Sequence, residues 1–98
     1  MLKKVVDCSA SWCGPCKALA KTFENVSKMD EFNHIEFKSV DIESEEGEKI
    51  TEDYQIRNVP TILFLDENDN LIARKTGNIP EATLVEEIKT NAMSTTHE

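Results

Sequence analysis

Cys13 and Cys16 stand three residues apart with only Gly14 and Pro15 between them, in the stretch "VVDCSASWCGPCKALAK" at residues 5–21. Two thiols at that spacing suit redox chemistry or one half of a metal site. On a helix, residues i and i+3 are neighbours, with Cβ atoms roughly 5–6 Å apart. A disulfide needs Cα atoms about 4.4–6.8 Å apart. The pair can therefore open and close a disulfide with little backbone movement. A helix starting at Cys13 adds a second effect, because its free N–H groups and positive dipole end favour a thiolate. Cys13 sees that field best and is the expected nucleophile with a lowered pKa. Cys16, one turn in, is expected to be more buried and to resolve a mixed disulfide. Pro15 suits a first helical turn, which tolerates a missing N–H. Gly14 leaves room for another chain's sulfur.

The alternative chemistry is zinc binding, which wants four ligands. Cys8, Cys13, Cys16 and His34 supply them on paper. The Gly-Pro spacer and the helical pattern that follows favour redox.

These residues need elements to position them. Residues 2–8 end in an apolar run suited to a buried strand, interrupted by Asp7. From Cys16 the period changes to that of a helix, with Leu19, Ala20, Phe23 and Val26 inward and Lys17, Lys21, Glu24 and Lys28 outward. Residues 30–33, "DEFN", read as a loop. Residues 34–42 alternate as a strand. Residues 43–56 read as a polar helix with Ile50, Tyr54 and Ile56 inward, weakened by Gly47. Its acidic run, Glu43 to Glu48, reads as a solvated helix start.

Residues 61–66, "TILFLD", form a continuous apolar run and the expected central strand. Residues 67–70 are a hairpin turn, and residues 71–77 its edge-strand partner. The last helix is expected to begin with Pro80 at its first position, with Leu84, Val85, Ile88 and Ala92 as its apolar stripe. The domain spans 1–93, and 94–98 is a flexible tail. The order β-α-β-α-β-β-α predicts a mixed four-stranded sheet with helices on both faces. The first two strands are parallel through a right-handed crossover, and the last two are antiparallel.

The totals narrow the function class. A chain of 98 residues is one domain, and 39% hydrophobic with 31% charged residues is a globular composition. No apolar stretch approaches the roughly 20 residues a membrane span needs. The two N-terminal lysines precede only a pair of valines and then Asp7, so no signal-peptide core follows. A cytoplasmic monomer is expected. The net charge of −8 argues against a nucleic-acid partner or an anionic membrane surface. Three cysteines without a secretory signal argue against a structural disulfide framework. Cys8, alternating with Asp7, reads as a small core hydrophobe. His34 and His97 read as exposed bystanders.

"WCGPCK" at 12–17 resembles the active-site motif of the thioredoxin family. "VVDCSASWCGPCK", "VDIESEE" and "NVPTILFLDENDNLIARKTG" extend the resemblance over nearly the whole chain. The resemblance implies a thioredoxin-like α/β fold, shortened by the family's usual additional N-terminal strand and helix. It implies a thiol-disulfide oxidoreductase that reduces protein disulfides, with Cys13 and Cys16 as the redox couple and Trp12 shielding the rim. Pro60 would be a cis proline, and Val59 before it would offer backbone hydrogen bonds to an extended substrate segment. Gly77 would line the groove. Asp7 would be the buried acid beneath Cys16 that relays its proton. A carboxyl in an apolar strand is costly to ionise, so its pKa should rise toward neutrality, which suits that role.

The partners implied are disulfide-containing proteins and a thioredoxin reductase delivering electrons from NADPH, with no cofactor or metal on the chain itself. Two positions depart from the pattern. Ser9 stands where many relatives have tryptophan. Ser39, next to Lys38, stands where many have a lysine near the buried acid. A glutaredoxin would need a glutathione site, and "NVP" and "TGN" are nearer the thioredoxin pattern. The alternative function is an interaction module that grips a partner through the Val59–Pro60 groove, with redox secondary.

Overall fold

The computed structural model describes residues 1–94. The elements run β1 (Leu2–Ser9), α1 (Gly14–Ser27), a 3-10 turn (Asp30–Phe32), β2 (Glu36–Asp41), α2 (Glu45–Tyr54), β3 (Thr61–Asp66), β4 (Leu71–Thr76) and α3 (Glu81–Ser94). The sheet order is β2-β1-β3-β4. β1 lies parallel to β2, from Lys4 beside Glu36 to Ser9 beside Asp41. β1 and β3 are antiparallel, as are β3 and β4. This is the mixed sheet that the element order predicts.

β1 and β3 are the central strands, so both of their faces are covered, and this is why they read as apolar runs. Val5, Ile62 and Phe64 face α1 and α3, where Leu19, Phe23, Val26, Leu84 and Ile88 close the larger core. Val6, Cys8, Leu63 and Leu65 face the other side, with Val40 and Ile56, beneath Ile50 and Tyr54 of α2. Each such side chain fully buried contributes roughly 1.5–3 kcal/mol. The two cores clamp β1 between them, and β1 delivers the cysteine pair.

Several expectations are corrected. Ala20 is exposed, because the inward stripe of α1 is the narrower set Cys16, Leu19, Phe23 and Val26. The segment 30–33 is a 3-10 turn rather than an open loop, and it buries Phe32, whose ring lies 6.4 Å from that of Phe37. β2 starts at Glu36, two residues later than expected. α2 ends at Tyr54 because Gln55 turns left-handed, at φ 53°.

Gly47 does not weaken α2 but permits its docking, since a Cβ there would overlap the backbone carbonyl of Asp41. Pro80 precedes α3 rather than opening it, and its carbonyl accepts the N–H of Leu84 at 3.0 Å. Ser94 closes α3. The remainder of the expected tail, with His97, lies outside the described residues. Among the described residues no helix is long and apolar enough to cross a membrane.

Candidate active site

β1 ends at Ser9, and the chain turns so that the N–H of Cys13 reaches the carbonyl of Ala10 at 3.1 Å. Cys13 is the N-cap of α1, with extended backbone (φ −95°, ψ 112°). Its Sγ accepts the N–H of Cys16 at 3.2 Å. Pro15 occupies the first turn, which holds no acidic residue. That turn therefore offers its positive end to sulfur alone. Cys13 and Cys16 are joined as a disulfide, with Cα atoms 5.3 Å apart. Cys13 is 6% exposed and Cys16 2%.

The segment before β3 faces this pair. The Val59–Pro60 peptide is cis, and the Val59 carbonyl oxygen lies 3.9 Å from the Cys13 sulfur. Gly77, at φ 90°, donates its N–H to the Pro60 carbonyl at 2.9 Å, a backbone shape that glycine adopts without strain. Ala10, Cys13 and Cys16 are buried together, with Ile42 and Val59 packed against them. Trp12 is 66% exposed on the rim. Its indole N–H donates to Glu43 Oε2 at 3.1 Å. Glu43 is therefore a ligand of the rim tryptophan, not only part of a solvated helix start. No local pattern signals this pairing, because the two residues are 31 positions apart.

Asp7 is 1% exposed, and its Oδ1 has no hydrogen-bond partner. Burial pushes its carboxyl up to about 6. By strand alternation Asp7 shares the face of Val5, which packs toward α1. Ser39 of β2 lies beside it in register. Lys38 points to the α2 side and pairs with Glu46, so it is not turned toward Asp7. Cys8 is fully buried in the α2-side core, and burial, then the charge of Asp7, push its thiol up to about 12. A thiol so held is a poor nucleophile. The four zinc ligands available on paper are not brought together. Cys8 sits in the α2-side core, and exposed His34 borders Ile35 and Ile88. Among the described residues no three His, Cys, Asp or Glu side chains form a metal-binding group.

The Thioredoxin family model matches residues 2–90. The chain belongs to the thioredoxin family. It is 33% identical to the thioredoxin of Mycoplasmoides gallisepticum over 89% of its own length and 82% of that protein's. It is 34% identical to "Thioredoxin Asp f 29" of Aspergillus fumigatus over 68% of its length, a match spanning only 59% of that protein. Among solved structures, Malassezia sympodialis thioredoxin superposes with a TM-score of 0.77 at 29% identity, covering 91% of this chain and 74% of that one. Fasciola hepatica thioredoxin gives 0.75 at 32% identity, covering 90% and 79%. In this thioredoxin-family chain the N-cap sulfur follows the end of β1 and the cis peptide precedes β3, and the buried carboxyl of Asp7 lies within β1, two residues before its end.

Proposed function

We propose that the chain is a thiol-disulfide oxidoreductase that reduces disulfides in other proteins through Cys13 and Cys16. The observation that carries this reading is the Cys13–Cys16 disulfide at the start of α1, with the Cys13 sulfur as the cap of that helix. In the dithiol form the Cys13 thiolate receives the Cys16 N–H and the positive end of α1. It attacks one sulfur of a substrate disulfide. That S–S bond breaks, a Cys13–substrate bond forms, and the departing substrate thiolate takes up a proton. Cys16 then loses its proton, with Asp7 as the acceptor, and attacks the Cys13 sulfur. The second substrate thiolate leaves and is protonated.

Two electrons have passed to the substrate, and the chain holds the Cys13–Cys16 disulfide. The Val59–Pro60 segment and Gly77 bind the extended substrate backbone beside Cys13. A two-electron donor resets the pair. We assign that role to NADPH through a thioredoxin reductase, with no cofactor held by this chain. A cytoplasmic monomer serving redox homeostasis fits this scheme.

The test is a pair of variants. Cys13→Ser is expected to lower disulfide reduction by at least about 10³-fold. Cys16→Ser is expected to accumulate a mixed disulfide between Cys13 and substrate, seen as added mass that a thiol reductant removes. Normal turnover by Cys16→Ser would exclude the mechanism.

A further inference from the structure

The charge around the groove is opposite to the charge of the molecule. The chain carries −8. A cleft of about 290 Å³ beside the Val59–Pro60 segment is lined by Gln55, Arg57, Asn58, Thr61, Arg74 and Thr76, with two guanidinium groups and no carboxylate. A second cleft, of about 420 Å³, continues from Arg57 and Asn58 past Val59 to Trp12. Arg57 belongs to both. Glu43, beside the Trp12 wall, accepts the indole N–H.

The other cations are mostly spent. Lys4, Lys28, Lys38, Lys49, Lys75 and Lys89 each pair with a carboxylate. Arg74 donates to the carbonyls of Tyr54 at 2.6 Å and Gln55 at 3.4 Å, so it is fixed to the end of α2. Arg57 is exposed and makes no ion pair or hydrogen bond among the described residues. It stands two residues before Val59, whose carbonyl is the group next to the Cys13 sulfur. Two extended residues span at most about 7 Å. Arg57 lines the cleft that runs past Val59 to Trp12, so a side chain about two positions from the attacked cysteine of an extended substrate lying in that cleft would come within its reach. Its guanidinium matches a carboxylate in two parallel hydrogen bonds. The rest of the molecule's negative charge acts weakly there, because the Debye length is only about 8 Å at physiological ionic strength.

Building on the disulfide-reductase reading above, we propose that Arg57 is a specificity residue that selects protein disulfides flanked by an acidic side chain. The test compares two peptides with the same intrachain disulfide, carrying Glu or Lys two residues from the attacked cysteine. Hydroxyethyl disulfide, which is small and uncharged, serves as a reference substrate. The readout is the ratio of kcat/KM for the Glu and Lys peptides within each variant, so a loss of folded protein cancels. The wild type is expected to favour the Glu peptide by about threefold to fivefold at physiological ionic strength and to lose that preference at high salt. Arg57→Gln is expected to bring the ratio to about one, Arg57→Glu to invert it, and Arg57→Lys to restore part of it.

Equal rates on both peptides by the wild type, with hydroxyethyl disulfide still reduced, would overturn the selection and leave the reductase reading intact. A preference that survives Arg57→Gln would also overturn it. Failure to reduce any of the three substrates would bring down both.

Discussion

At the end of β1 the chain enters α1 through Cys13, and at the end of the neighbouring parallel strand β2 it enters α2 through Ser44. Each cap side chain accepts the N–H of the residue three further on, Cys16 at 3.2 Å and Gly47 at 3.0 Å. The backbone solution is the same, and the charge around it is not. The first turn of α2 holds Glu45, Glu46 and Glu48, and that of α1 holds no acid. A helix start favours negative charge by about 0.3–1 kcal/mol. On α2 carboxylates take up that preference. On α1 it is left for sulfur. The strands differ in the same sense, because Asp7 on β1 is buried and unpartnered, and Ser39 beside it on β2 is exposed. The two like turns thus differ in what they leave unneutralised.

The largest effect that would break the comparison is on the α2 side. Gly47→Ala places a methyl group against the Asp41 carbonyl. It is expected to cost about 3 kcal/mol of stability by urea unfolding, where Gly-to-Ala in a helix ordinarily gains about 0.5–1 kcal/mol. A neutral or stabilising result would mean that α2 does not depend on that close approach.

Next is Asp7→Asn. The folded-state pKa of Asp7 lies above its unfolded value of 3.8, so the folded chain holds a proton over the window from about 4 to 6 that the unfolded chain has released. Stability therefore falls as pH rises through that window, and the penalty is complete above it. Removing the charge is expected to stabilise the protein by about 2–3 kcal/mol at pH 8 and to give no charge-related gain below about pH 4. A gain independent of pH would show that Asp7 acts by shape rather than charge.

The smallest effect sharpens the contrast itself. Gly14 is exposed with open space around it, so Gly14→Glu makes α1 resemble α2. Alkylation of Cys13 in the dithiol form is expected to slow by about 2–5-fold near neutral pH, with its pH profile moved upward. An unchanged profile would remove the absence of acids from the account of Cys13.

Much of this was legible in the sequence. The thiol spacing, the switch of period after Cys16 and the apolar run at 61–66 fix the two central strands and α1, because local pattern and burial agree there. What escaped depends on neighbours remote in sequence. Phe32 sits in a three-residue 3-10 turn, too short to show a period, and is held by the ring of Phe37. Gly47 counts against a helix by propensity, yet the Asp41 carbonyl requires it. Glu43 looks like one acid among several until Trp12 is placed against it. Ala20 fits the apolar spacing but lies past the edge of the stripe that α3 and the sheet cover. The site was thus readable where it is built from one contiguous segment, and unreadable where a second segment completes it.

The burial of Cys8 has a practical consequence. Alkylating reagents applied to the folded dithiol form should label Cys13 first and the more buried Cys16 after it, and a third thiol only when α2 lifts from the sheet, since Cys8 lies among Val6, Val40, Ile56 and Leu65. The slow appearance of that third label is then a clock for the opening of the α2-side core. The chain carries its own reporter of that motion, one that needs no engineered probe and leaves the pair at the start of α1 free to be followed separately.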